Sequence, residues 1–177
     1  MNPAEVPNRE RSKRAHFPRW LTPIYFALVL PLVLVVAPWG LSLLSPRYGW
    51  EAGHPGLLNL FSLILIVTGI ACVIWIIVLH CVQAPEGWDL ERTPRYLLIR
   101  GPYKFSRNPS YLSLLVIFFG WMLFYGSVAV FVAFVVAWAV LNHVAVPTEE
   151  RDLEARFGEA YRQYKNTVRR WLGKTRG

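Results

Sequence analysis

Arg100-Gly101-Pro102-Tyr103-Lys104-Phe105-Ser106-Arg107-Asn108-Pro109-Ser110-Tyr111 is the stretch around which this chain is organised. It holds two prolines, a glycine, three cations and three aromatics between two long apolar segments. Gly101-Pro102 turns the chain. Asn108-Pro109 reads as a helix start, because Asn is a good N-cap and Pro suits the first helical position. The residues that follow, 111–125, are almost wholly apolar, so a cationic turn feeds directly into a helix fit for a bilayer. Taken alone, such a loop is explained by Arg and Lys holding it at lipid headgroups. Two features argue for more: the loop is dense in groups able to hold a polar ligand, and a second polar cluster, Glu149-Glu150, follows the next two apolar segments.

Composition sets the class. Of 177 residues 54% are hydrophobic and only 17% charged, and eight are Trp, which points to one integral-membrane domain rather than a soluble core. The net charge of +8 does not imply nucleic acid, because the cations flank apolar segments instead of lining one face. Cys72 lies within an apolar segment and Cys81 at its end, so no disulfide framework is indicated. The first apolar run is too long for the core of a cleavable signal peptide.

In chain order, residues 1–19 form a basic cytoplasmic tail and residues 20–177 a membrane domain. Spans are expected over about 20–44, 57–79, 109–125 and 128–146, with the first kinked by Pro31 and Pro38. Gly126-Ser127 breaks the last two spans into a hairpin. Thr148 is expected to cap a final amphipathic basic helix over about 148–172, in which Leu153, Phe157, Tyr161, Tyr164 and Val168 recur at helical spacing. That helix should lie on the membrane surface or pack on the loop. The fold class is therefore all-α: about four transmembrane helices, a cytoplasmic active-site loop and a C-terminal amphipathic helix. Five Lys or Arg precede the first span, five lie in residues 80–108, eight follow Val146, and only Arg47 falls on the other side. The positive-inside rule then puts both termini, and both polar clusters, in the cytoplasm, at the inner membrane in a bacterium.

G-P-Y-x-x-x-R-N-P-x-Y, then two apolar helices, then E-E-x-x-L-x-x-x-F-G-x-x-Y-x-x-Y, resembles the isoprenylcysteine carboxyl methyltransferase and phospholipid methyltransferase family of membrane enzymes that use S-adenosylmethionine. The likeness runs from about His80 to Trp171. It implies that Tyr96, Leu97, Leu98, Tyr103, Asn108, Pro109, Ser110 and Tyr111 contact the cofactor, with Gln83 near it, and that Glu150 holds its amino end. The residues fit that chemistry: Glu149 and Glu150 supply acceptors, and Arg107, Asn108 and the first amides of the third span supply donors for a carboxylate. Tyr96, Tyr103 and Tyr111 offer aromatic faces. His80 and Cys81 lack a metal-ligand pattern and read as structural, and no glycine-rich dinucleotide loop is present.

Two departures bear on mechanism. The family often has His where this chain has Asn108, which cannot act as an acid or base near neutral pH. The carboxyl methyltransferase branch tends to carry an Arg ahead of the Glu pair, whereas this chain has Ala145-Val146-Pro147-Thr148. The expected reaction is direct in-line methyl transfer to an apolar or lipid-like acceptor in the bilayer: a prenylcysteine-like carboxylate, a lipid amine or a thiol. No metal and no nucleic acid are expected partners. The competing classes are an NADPH-dependent membrane reductase of the sterol-reductase type, which needs a larger cationic pocket, and a non-enzymatic four-span scaffold or transporter. The spans carry no ionisable group deep in the bilayer of the kind a transport path uses.

Overall fold

A computed structural model describes residues 28–29, 31–83 and 97–174, with the side chains of Cys81 and Gln83 excepted. The described residues are mostly helical. Helix α1 (Leu32–Ser42) leads through a short ribbon, β1 (Trp50–Glu51) and β2 (His54–Pro55), to α2 (Leu57–Phe61) and α3 (Leu63–Gln83). After the loop come α4 (Pro109–Tyr125), α5 (Val128–Val140), α6 (Val146–Phe157) and α7 (Glu159–Thr167).

Leu57–His80 and Val128–Phe157 are long and apolar enough to cross a membrane, whereas Leu32–Ser42 and Pro109–Tyr125 are apolar but shorter. Their outer faces carry large apolar side chains, among them Leu57, Leu58, Val67, Trp75, Phe131 and Val136, all exposed. Apolar area on this scale fits a lipid-facing surface.

Proline placement shapes two helices in the same way. Pro38 cannot donate to the carbonyl of Leu34, and its ring would crowd that oxygen in a regular α-helix. The chain answers with a π turn over Leu32–Val36, in which the Ala37 amide bonds Leu32 O. The same device precedes Pro147: Leu141–Ala145 form a π turn and the Val146 amide bonds Leu141 O. The expected boundary between a fourth span ending at 146 and a separate C-terminal helix is therefore absent, because α5 runs through the π turn into α6. Thr148 is not a cap; its hydroxyl donates to Val144 O at 2.7 Å. Nor is 148–172 one helix. It breaks at Gly158, where φ is +53°, and ends at Thr167.

The expected short loop at 45–56 contains the ribbon, a departure from a purely helical chain. Trp50 pairs with Pro55 and Glu51 with His54, and the loop residues Ala52 and Gly53 both take positive φ, the twist that two-residue hairpins require. Asn59, buried at the foot of α2, shares its amide hydrogens among the carbonyls of Tyr48, Leu123 and Phe124. Gly126 takes the left-handed conformation that stops α4, and the Ser127 hydroxyl accepts from Val130 N to start α5.

Helices α3 and α4 pack most closely, through reciprocal glycines. A Cβ on Gly69 would meet Ile117 Cγ1 at 2.5 Å, and one on Gly120 would meet Ile66 Cγ1 at 2.6 Å. In lipid, where apolar burial gives little drive, such close backbone approach is what holds helices together. The contact fixes α4 and thereby the loop at its N-terminus.

Candidate functional site

The loop reaches α4 by a 3-10 turn, Gly101–Lys104, in which Phe105 and Ser106 both donate to Pro102 O. Pro109 and Ser113 are buried in the first turns of α4, where Ser113 Oγ donates to Pro109 O at 2.8 Å. Asn108 stands at the N-cap position but does not cap with its side chain. Its Nδ2 donates instead to Arg170 O at 3.2 Å, and its backbone N–H goes to Ser106 Oγ at 3.1 Å.

That bond belongs to a larger pairing. After α7 the segment 168–174 doubles back, with a bridge between Val168 and Lys174, and lies along the loop as a strap. Arg107 N donates to Arg169 O at 3.1 Å, Gly173 N to Phe105 O at 2.8 Å, and Ser106 Oγ to Arg170 O at 3.3 Å. Trp171 Nε1 ties the strap to Asn142 Oδ1 in the π turn at 3.0 Å. Beneath the strap, Tyr161, Tyr164 and Val168 form a buried cluster on which Leu97, Leu153 and Phe157 pack.

At the centre is Glu150, 5% exposed. Arg170 approaches it side-on, Nη2 at 2.8 Å from Oε2 and Nε at 3.3 Å from Oε1. Arg107 Nη1 lies 3.1 Å from Oε1, a charge contact without hydrogen-bond alignment. Among the described residues, the buried Nε and Nη1 of Arg107 have no hydrogen-bond acceptor. Such donors are costly to bury unmet, by about 1–3 kcal/mol and more when charged.

The tyrosines frame this centre. Tyr161 lies beside Arg107, and burial, then the nearby Glu150 charge, pushes its phenol up to about 12. Tyr164 donates to Tyr103 O at 2.7 Å and more weakly to Ser106 O at 3.3 Å; burial, then neighbouring Tyr103 and Tyr161, raises its phenol as well. Tyr111 faces the carboxylate of Glu149. Tyr103 OH lies 3.0 Å from Nε2 of buried His80 at the end of α3, edge-on to its ring, so His80 holds Tyr103 in place.

The structure brings Arg107, Asn108 and Glu150 together and sets Tyr111 beside Glu149. Leu97 joins the tyrosine cluster and Leu98 is buried. Ser110 and Tyr111 are half-buried. Gln83 closes α3 with its side chain outside the described residues, and Tyr96 lies outside them altogether. Sequence reasoning missed Arg170 and Ser106 as structural partners of the site. Arg170 reads in sequence as one more cation on a basic face, and nothing local marks it as the partner of Glu150 twenty residues away.

Residues 58–160 match the phospholipid methyltransferase family, an interval that runs from α2 to the start of α7 and stops short of the strap. An uncharacterized protein of Haemophilus influenzae is 42% identical over 62 residues, which is 35% of this chain and 98% of that protein. No solved structure matches. With the match covering more than half of its length, this chain belongs to the phospholipid methyltransferase family of membrane methyltransferases.

Proposed function

We propose that the chain is a multi-pass enzyme that takes its methyl group from S-adenosylmethionine and passes it to an apolar, membrane-associated acceptor. The observation that carries this reading is the side chain of Arg107. Its Nε and Nη1 are buried beside Glu150 with no aligned hydrogen-bond acceptor among the described residues, in the turn that opens an apolar helix. Donors of that kind fit a carboxylate, and the start of α4 adds a favourable dipole. Glu149 and Glu150 fit the amino group, and Tyr103 and Tyr111 offer hydroxyls and ring faces for the rest of the cofactor. When bound, S-adenosylmethionine supplies an electrophilic methyl group on a sulfonium.

The chain's own contribution is to orient and to exclude water. Arg107 and the glutamates fix the polar end, so that an acceptor entering from the bilayer meets the methyl group in line. The apolar faces of α3 to α5 keep the approach dry. A carboxylate or thiolate acceptor needs no base, whereas a lipid ammonium must first lose a proton. Residues 145–148 carry no cation. This favours a lipid amine or thiol over a prenylcysteine carboxylate. All four apolar helices cross the bilayer in this reading, with both termini cytoplasmic.

Calorimetry on detergent-purified protein tests it. Wild type should bind S-adenosylmethionine in the micromolar range, about −8 kcal/mol, and Arg107→Gln and Glu150→Gln should weaken binding at least roughly tenfold with melting curves retained. Folded wild type that binds no S-adenosylmethionine sinks the reading, and NADPH becomes the next ligand to try. Transfer of labelled methyl to a lipid extract then identifies the acceptor.

A further inference from the structure

Two guanidiniums meet one carboxylate at Glu150, and they are not equivalent. The Arg107 side chain is 11% exposed, rises from the loop and lies beside Tyr161. The Arg170 side chain is 37% exposed and comes from the strap, beyond the stretch that matches the family. Yet Arg170 makes the better-aligned bonds, and it makes them to both oxygens of Glu150. A positively charged nitrogen arriving from solvent meets Glu150 with its cation position already filled by the side chain nearer the solvent.

We propose that Arg170 is a built-in competitor for the cofactor's ammonium group: it pairs with Glu150 in the structure and is displaced to solvent when the cofactor binds. The proposal rests on the assignment of Glu150 to that ammonium group. Exchange needs no unfolding of the strap. The backbone at this point is held independently, with Arg170 O accepting from Asn108 and Ser106, Arg169 O from Arg107, and Trp171 tied to Asn142. Only the side chain swings. An ammonium and a guanidinium compete for a carboxylate on equal charge terms, so the exchange conserves the pairing of a buried anion, which would be costly to leave alone. Arg107 stays, and its unmet N–H groups remain for the ligand's carboxylate.

The test compares two probes on detergent-purified full-length protein: S-adenosylhomocysteine, which carries the amino acid end, and 5′-methylthioadenosine, which lacks it. Arg170→Gln should bind S-adenosylhomocysteine roughly fivefold more tightly than wild type, the loss of a partly exposed ion pair, and should bind 5′-methylthioadenosine unchanged. Arg170→Lys, which restores the cation, should return towards wild type, and melting curves confirm the fold of each variant. Weaker binding of S-adenosylhomocysteine by Arg170→Gln would make Arg170 a positioning residue for Glu150 and overturn the proposal. Equal tightening of both probes would overturn it too, as general loosening. If folded wild type and variant bind neither probe, the assignment of Glu150 fails first and the proposal falls with it.

Discussion

Asn108 Nδ2 donates to the backbone carbonyl of Arg170, 62 positions later in the chain, at 3.2 Å. The residue that looks like a helix cap is thus a fastener between the loop and the strap. Asn108→Ala should cost about 1 kcal/mol, the net worth of one such bond, and lower the midpoint of thermal unfolding by roughly 2–4 °C. Hydrogen exchange at residues 168–174 should rise in the same variant. An unchanged exchange pattern would show the strap to be held by the other contacts alone.

The α3–α4 contact leaves no room at Gly120. Its Cβ would lie 3.2 Å from Ile66 N and 3.3 Å from Leu65 Cβ, in addition to the close contact with the Ile66 side chain. Gly120→Ala should destabilise by about 1–3 kcal/mol through overpacking. Gly40, in α1, faces open space. Gly40→Ala should be neutral or slightly stabilising, as helix propensity predicts. Paired melting curves in one detergent check both, and equal behaviour of the two variants would contradict the packing described.

The buried phenols make the strap region sensitive to alkali. Tyr161 is raised to about 12 and Tyr164 is raised too, whereas an exposed phenol in the unfolded chain ionises near 10. The folded state therefore holds protons that the unfolded state has lost. The stability this contributes is complete below about pH 10 and is lost as pH climbs through the folded values. A spectrophotometric titration should show these two tyrosines ionising late, with unfolding accompanying them, and Tyr161→Phe should remove part of the alkaline sensitivity.

Topology is checked by fusing reporters. A cytoplasmic signal is expected both after Gly177 and within residues 84–96, and an exported signal within 48–54, beside Arg47. Arg47 lies over the rings of Trp50 and Tyr125 at the opposite end of α4 from Arg107, a helix about 25 Å long. An exported signal at Gly177 would move the Glu150 centre to the wrong face for the proposed cofactor.

The apolar segments were legible because composition alone separates lipid-facing chain from loop, and the break at Gly126 followed from its conformational freedom. The pairing of Arg107 with Glu150 was legible only as two halves of a motif. What composition does not carry is geometry set from a distance. Asn108 has a cap's sequence context but finds a stronger use in the Arg170 carbonyl, and Arg170 itself became part of the site only when α7 and the strap folded back. Pro147 read as a helix opening because a proline within a helix removes a bond; the π turn before it absorbs that loss, and the helix continues.

The π turn at Leu141–Ala145 has a consequence for direction. A π turn amounts to one additional residue in an α-helix, and one residue advances the helical face by about 100°. Everything downstream of Ala145 is rotated by that amount relative to the part of α5 that lies against lipid. Were the same residues wound as a regular α-helix, Glu150 would point about a quarter turn or more away from Arg107. Deleting one residue from Leu141–Ala145 would close the helix into regular α geometry with its acidic half still aimed at the site, whereas inserting a further residue there without a second bulge would turn that half away. The bulge works as a phase shifter, letting one continuous helix answer to the bilayer along one face and to the polar site along another.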